Sequence, residues 1–213
     1  MPNPMTLDQF AGQADVSRET LARLKRYAEM LEKWNQRINL VGRGTVEDLW
    51  RRHMLDSAQL LPLIPPDTGS VADLGSGAGF PGLVLAICGV KNVHLIEADR
   101  KKCAFLREVA RETDTPVTIH NKRIEEIESF QADIVTSRAL APLPKLLDMA
   151  APFTKKHSIL LFLKGRSADG ELTEAAKEWN MRVDQIPSQT DPEGMILRLE
   201  AISRALHTPE EPR

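Results

Sequence analysis

The residues able to do chemistry gather around one turn, Asp73-Leu74-Gly75-Ser76-Gly77-Ala78-Gly79-Phe80-Pro81-Gly82. A short apolar run from Val71 ends in an acid, passes through alternating glycines and opens into the apolar segment Leu83 to Ile87. That pattern predicts strand, tight turn and helix. Glycine admits positive φ and lets backbone N–H groups close on a ligand, and the turn delivers that ligand to a helix N-terminus. The spacing Gly-x-Gly-x-Gly is one residue tighter than the dinucleotide fingerprint Gly-x-Gly-x-x-Gly. With Asp73 ahead of it, it suits a nucleoside carrying an amino-acid tail better than a pyrophosphate. Gly75, Ser76, Gly77, Gly79 and Phe80 are therefore the first candidate cofactor residues.

Later positions add further candidates. Glu97, 22 residues beyond Gly75, ends an apolar run and can accept hydrogen bonds from both hydroxyls of a ribose. Arg123, Ile124 and Glu125 follow the next run, where Ile124 would lie against an adenine face and backbone groups would meet its edge. Arg138, in Ser137-Arg138-Ala139, can bind the cofactor's carboxylate or a substrate phosphate, and spacing leaves both open. Lys164, with Gly165 and Arg166, can serve an RNA backbone. No Asn-Pro-Pro-Tyr-like sequence follows the fourth strand and no cysteine follows strands four to six. Methylation of an exocyclic amine and covalent attack on a pyrimidine are thereby disfavoured.

The elements that position these residues read as follows. Residues 17–40 are predicted helical, with Leu21, Leu24, Tyr27, Ala28, Leu31, Trp34 and Ile38 on one face. A second helix is predicted from about Val46 to Leu61, stopped by Pro62, Pro65 and Pro66. Residues 1–66 thus form a helical extension packed on the body, since helices this few seldom bury a core alone. Residues 67–204 form the α/β body, with strands at Val71, Val93–Glu97, Val117–His120, Ala132–Ser137 and Ser158–Leu163. Helices Arg100–Glu112, Pro144–Ala151 and 168–180 alternate with them. Two final strands, Met181–Ile186 and Met195–Ala201, have no helix between them and predict an antiparallel hairpin. Residues 205–213 are expected to be a disordered tail. Strand–helix alternation implies a mainly parallel sheet with ligands beyond its carboxyl edge. Seven strands, the last antiparallel, match the Rossmann-like layout of class I S-adenosylmethionine-dependent methyltransferases.

Bulk properties narrow the partners. The net charge of −2 excludes a polycation, so nucleic acid must be met by a local patch. From Arg138 to Ala168 there are six basic residues, Arg138, Lys145, Lys155, Lys156, Lys164 and Arg166, against the single acid Asp148. Arg37, Arg43, Arg51, Arg52 and His53 form a weaker cluster. Cys88 and Cys103 are isolated, with no zinc-like spacing, so no metal is expected. No apolar run approaches the ~18 residues of a membrane span, and Met1-Pro2-Asn3-Pro4 lacks the pattern of a secretion signal. A cytoplasmic monomer without membrane contact is expected.

Several motifs together carry a resemblance. Tyr27-Ala28-Glu29-Met30-Leu31-Glu32-Lys33-Trp34-Asn35, Asn39-Leu40 and Arg52-His53-Met54-Leu55-Asp56-Ser57 resemble the N-terminal signature of the bacterial RsmG (GidB) family. Asp73 to Gly82 resembles its cofactor turn, and Ser137-Arg138-Ala139 and Leu163-Lys164-Gly165 its later elements. The resemblance spans roughly residues 20–200 and departs mildly, with Glu97 where aspartate is common and Ala78 where proline is common. It implies transfer of a methyl group from S-adenosylmethionine, leaving S-adenosylhomocysteine, to N7 of guanine 527 in 16S ribosomal RNA, free or in the 30S subunit. It places cofactor positions on Gly75, Phe80, Ile124, Glu125 and Arg138. Guanine N7 has a free lone pair and no proton, so Arg138 would act by positioning and electrostatics, with no general base. Trp34, Asn39, Arg52, His53, Arg123, Lys164 and Arg166 are the candidate RNA contacts. The alternative is a class I methyltransferase acting on a small molecule, which would leave the basic stretch unexplained.

Overall fold

The computed structural model describes residues 3–205. Seven strands form one sheet in the order β3-β2-β1-β4-β5-β7-β6. They are β1 (Val71–Leu74), β2 (Val93–Ile96), β3 (Thr118–His120), β4 (Ala132–Arg138), β5 (Thr154–Lys164), β6 (Trp179–Pro187) and β7 (Met195–Arg204). Strands β1 to β5 pair in parallel, and β7 inserts antiparallel between β5 and β6. The chain winds outward from β1 through β2 to β3, then returns to β4 on the other side of β1. The switch point therefore lies at the carboxyl ends of β1 and β4, where the glycine turn and Arg138 emerge. The β1 sequence is buried at all four positions, as expected of a strand covered on both faces. Val71 joins the apolar cluster of the N-terminal helices, and Ala72 and Leu74 join the opposite cluster.

The N-terminal extension comprises α1 (Leu7–Ala14), α2 (Arg18–Asn35), α3 (Arg43–Val46), a π-helical turn (Trp50–Leu55) and α4 (Asp56–Ala58), closed by a 3₁₀ turn at Leu61–Leu63. It has no core of its own. Phe10, Leu24, Tyr27 and Leu31 are fully buried in one cluster with Leu83, Phe105 and Leu106 of the body, each contributing ~1.5–3 kcal/mol by burial. The body's helices are α5 (Gly82–Ile87), α6 (Arg100–Glu112), α7 (Leu143–Ala150) and α8 (Ala168–Ala175). Among the described residues no helix is long and apolar enough to cross a membrane.

Four sequence expectations need correction. The helix expected over 17–40 ends at Asn35, because the Asn35 Oδ1 accepts from the N–H groups of Leu40 and Val41 at 2.8 and 3.0 Å and so closes a turn instead. The helix α1 lies ahead of the first helix that the apolar periodicity predicts, and Thr6 and Gln9 form a complete capping box at its start. The continuous helix expected over 46–61 is broken into α3, the π turn and α4. At the turn's end the Asp56 N–H reaches back to the Arg51 carbonyl, which shifts the phase of every later side chain. The helix expected over 168–180 stops at Ala175, because Trp179 already belongs to β6. The tail expected at 205–213 falls, from residue 206, outside the described residues.

Candidate active site

The glycine turn is held by Asp73, whose side chain is fully buried beneath it. The Asp73 Oδ1 accepts from Thr136 Oγ1 at 2.8 Å and Oδ2 from the Gly82 N–H at 3.2 Å. One carboxylate thus ties β1 to β4 and to the start of α5. Burial pushes it up to about 6, against the hydrogen bonds it accepts. The turn itself requires glycine at two close approaches. Gly75 has φ +67°, and a Cβ there would sit 2.6 Å from Leu140 Cδ1; Gly79 has φ +103°, and a Cβ would meet the Tyr27 hydroxyl at 2.7 Å. The Tyr27 hydroxyl donates to the Ala78 carbonyl, so α2 clasps the turn from outside. Glu97 lies on the inner side: its Oε2 accepts from the Gly77 N–H at 2.9 Å and its Oε1 from the Asp99 N–H at 2.7 Å. The half-buried Ile124 packs with Leu140 on the apolar cluster beside it, while Arg123 and Glu125 are exposed.

Phe80 begins a stacked column. Its ring stacks on Tyr27 at 5.3 Å and on His53 at 4.9 Å, and the Arg138 guanidinium lies 4.9 Å over it. Arg138 ends β4 and crosses to the N-terminal extension. Its Nη1 donates to the Arg52 carbonyl at 2.9 Å and to Asp56 Oδ2 at 3.1 Å, and its Nη2 donates to His53 Nδ1 at 2.9 Å. A guanidinium can only donate, so His53 Nδ1 is the acceptor. The proton is then on Nε2, donated to Thr45 Oγ1 at 2.8 Å. Burial, aided by Arg138, holds His53 down at about 3, so it is neutral. Asp56 also accepts from Thr190 Oγ1 at 2.6 Å, and Gln59 Oε1 accepts from the Gln189 N–H at 2.8 Å. The loop between β6 and β7 is thereby fastened to the π turn. Five donors lie on the Arg138 guanidinium. Three serve the extension, and among the described residues the other two have no protein acceptor.

These contacts wall a cavity of about 690 Å³, within the usual range for small-molecule sites. Its lining includes Leu40, Arg52, His53, Asp56, Arg138 to Pro142, Lys164, Glu171 and Asp191. Carboxylates and cations alternate around it, with Arg52 paired to Asp191 at 3.4 Å.

Several expected RNA contacts are internal instead. Trp34 packs on Phe105 at 5.5 Å and belongs to the core margin. His53 is 6% exposed and spent on Thr45 and Arg138. The Lys164 Nζ donates to the Ala141 carbonyl at 2.7 Å and to Glu171 Oε2 at 2.8 Å, bracing the loop after β4. Asn39, Arg52, Arg123 and Arg166 do face solvent, although Arg166 reaches Glu193 at 2.8 Å. The basic stretch Arg138–Ala168 is not one patch. Lys155 and Lys156 begin β5 and Lys164 ends it, so the pair lies ~30 Å away at the opposite sheet edge, with Lys155 bonded to Asp133. Sequence reasoning missed Thr190, Gln59 and Glu171, which lie far from the motifs they support and carry no local signal.

The family model for rRNA small subunit methyltransferase G matches residues 20–194. Ribosomal RNA small subunit methyltransferase G of Paramagnetospirillum magneticum is 57% identical over 202 residues, covering 95% of this chain and 98% of that protein. The Rhodospirillum rubrum protein of the same name is 55% identical, covering 94% and 100%. Among solved structures, a TehB-like SAM-dependent methyltransferase from Corynebacterium glutamicum superposes with a TM-score of 0.58 at 13% identity, covering 83% of this chain and 98% of that one. M. jannaschii TYW2, solved in complex with AdoMet, gives 0.55 at 17% identity, covering 80% of each. At such identities the solved structures establish the shared fold.

Proposed function

Because the chain belongs to the rRNA small subunit methyltransferase G family, we propose that it transfers a methyl group from S-adenosylmethionine to N7 of guanine 527 in 16S ribosomal RNA. The observation that carries the reading is the adjacency of two half-sites, the Gly75–Phe80 turn with Glu97 beneath it, and the cavity that begins at Arg138. The donor set fits the cofactor. Glu97 keeps free lone pairs on both carboxylate oxygens for ribose hydroxyls. Ile124 offers an apolar face to an adenine, with Glu125 beside it. Gly75 and Gly77 are the partly exposed residues of the turn and would face the amino-acid end, while the N–H groups of the buried Ser76 and Gly79 are spent on the Ile96 and Ser76 carbonyls and hold the turn's shape. The two spare Arg138 N–H groups suit the cofactor's carboxylate. When bound, S-adenosylmethionine supplies an electrophilic sulfonium methyl.

The chain's own residues then have two tasks. They fix the approach of the base, which can account for most of the acceleration of a proton-free displacement, and they stabilise the cationic base that results. Asp56, Glu171 and Asp191 are each paired with a lining cation, Arg138, Lys164 and Arg52, so the second task falls to the fixed dipoles of these pairs rather than to net negative charge. Guanine N7 lies on the major-groove edge, which A-form RNA hides, so the cavity is suited to a base in a loop or turned out of its stack. Arg52, Asn39, Arg123 and Arg166 are the exposed candidates for contacts around it. Labelled methyl transfer to 30S subunits and to bare 16S RNA, with the product mapped, tests the reading. A single N7-methylguanine is expected, and no label on either substrate would overturn it.

A further inference from the structure

The RNA-binding stretch expected at 138–168 is divided by the sheet, but cations gather at the carboxyl edge by another route. Helices α2 and α6 run antiparallel. Arg26 meets Glu112 at the end of α6 at 2.7 Å, and Trp34 at the end of α2 meets Phe105 in the first half of α6. The close of α2 and the opening of α6 therefore share one rim. On it stand Lys33 and Arg37 from α2 and the turn after it, and Arg100, Lys101 and Lys102, the first turn of α6. Lys102 is half-buried and the other four are exposed. Among the described residues none of the five has an acidic partner within salt-bridge distance. At the far end of the same two helices, Arg26 and Arg111 are both paired with Glu112, and Arg111 also with Glu108.

The first turn of α6 is also unfavourable on its own account. A helix N-terminus carries partial positive charge and favours acids, yet this turn holds three cations and no acid. Asp99 caps it, but its Oδ1 is spent on the N–H groups of Lys101 and Lys102 at 2.7 and 3.1 Å. Glu97, the other acid nearby, is likewise engaged with the N–H groups of Gly77 and Asp99. One capping carboxylate against three cations leaves net positive charge at the positive end of the helix, and a local rule only partly compensated points to a functional demand. The location states what the demand is. The Asp99 N–H donates to Glu97, and Cys103 Sγ donates to the Glu97 carbonyl at 3.2 Å, so the cations border the cofactor turn. The loop leaving α2 continues to Leu40, which lines the cavity.

We infer that Lys33, Arg37, Arg100, Lys101 and Lys102 form the phosphate-binding rim that guides the RNA strand flanking the target base into the cavity. The inference rests on the RNA-methyltransferase reading above. Five unpaired cations on two helix ends fit a run of backbone phosphates, which they recognise by charge and spacing without reading sequence.

The test is the salt dependence of binding to a 16S RNA fragment containing the target loop. Each phosphate contact contributes ~0.7–0.9 to the slope of log K against log salt. The Arg100→Gln/Lys101→Gln/Lys102→Gln variant is expected to flatten that slope by about 2 and to weaken binding ~10- to 100-fold at low salt. Its melting temperature should rise, because cations leave the positive end of a helix. Opposite signs of the two effects exclude misfolding as the cause of weak binding. Lys33→Gln/Arg37→Gln should flatten the slope independently, and Lys155→Gln/Lys156→Gln at the opposite edge should leave it unchanged. Wild-type slope and affinity in the triple variant would overturn the inference, as would equal loss in the Lys155/Lys156 variant. Wild-type protein that binds S-adenosylhomocysteine but no RNA would overturn the functional reading itself.

Discussion

Replacing Asp56 by alanine should loosen the chemistry through Arg138. The Asp56–Arg138 pair is 3.1 Å long, with side chains only 16% and 18% exposed. At an effective dielectric of 20 that separation is worth about 5 kcal/mol before desolvation. Arg138 retains two other acceptors, the Arg52 carbonyl and His53 Nδ1, and regains some hydration. The net cost therefore belongs at the low end of broken buried pairs, ~3 kcal/mol. For a chain of this size that lowers Tm by about 6–12 °C. Asp56→Asn keeps an acceptor for Thr190 and should lose about half as much. The functional effect is read by calorimetric titration with S-adenosylhomocysteine across a double-mutant cycle. Arg138→Ala should fold and bind the product weakly while abolishing methyl transfer. Asp56→Ala should weaken binding ~10-fold alone and have almost no effect in the Arg138→Ala background, a coupling of about 1.4 kcal/mol. Losses that add to within ~0.5 kcal/mol would show that Asp56 acts elsewhere, and the positioning argument would fall.

Three other outcomes follow from the same geometry. His53 has its folded value depressed to about 3 from 6.5, so the unfolded chain binds the extra proton between those limits; the contribution is complete above 6.5 and drains as pH falls toward 3, by up to ~1.4 kcal/mol per unit. Asp73, raised from 3.8 to about 6, has the opposite slope between those values, so urea denaturation should compare wild type with His53→Gln, where Asp73 cancels; parallel stability–pH curves would refute the assignment. Tyr27→Phe leaves the buried Ala78 carbonyl without its donor, at ~1–3 kcal/mol, and should weaken S-adenosylhomocysteine binding more than RNA binding; equal effects would show that the clasp does not shape the cofactor turn. Lys164→Met should lower the methyl-transfer rate with the salt slope of RNA binding intact, because the lysine braces Ala141 and Glu171; a slope flatter by about 1 would return Lys164 to the RNA.

What could be read from the sequence was what local pattern encodes. Apolar strands alternating with helices specify the parallel sheet, and the glycine spacing locates the turn at its carboxyl edge. The Met181–Ala201 stretch, lacking a helix, announces the hairpin that inserts β7 between β5 and β6. The roles of polar side chains were harder, because they depend on partners remote in the chain. Lys164 looks like a free cation until Glu171 and the Ala141 carbonyl close on it. His53 looks like an RNA contact until the π turn rotates it beneath Thr45 and over Phe80. Lys155 and Lys156 look adjacent to Lys164 only because sequence distance hides the length of a strand.

The π turn explains why the extension and the body act together. A continuous α-helix takes 3.6 residues per turn, whereas the i−5 hydrogen bond from Asp56 to Arg51 fits one more residue into the turn and sets the phase of the later side chains back. The observed turn lets His53 Nδ1, Asp56 Oδ2 and the Arg52 carbonyl converge on one guanidinium. π turns carry poorer backbone geometry and recur at functional sites, and here the irregular backbone is offset by three charge-assisted contacts. Arg138 simultaneously belongs to β4, at the switch point where the cofactor turn begins. Any movement of the extension therefore displaces the Arg138 guanidinium, which lines the cavity, and through Thr190 it also moves the loop between β6 and β7. The helical extension is thus continuous with the body: its buried face completes the core over one side of the sheet, and Arg138, Tyr27 and Asp56 tie it to β4, to the glycine turn and to the loop between β6 and β7.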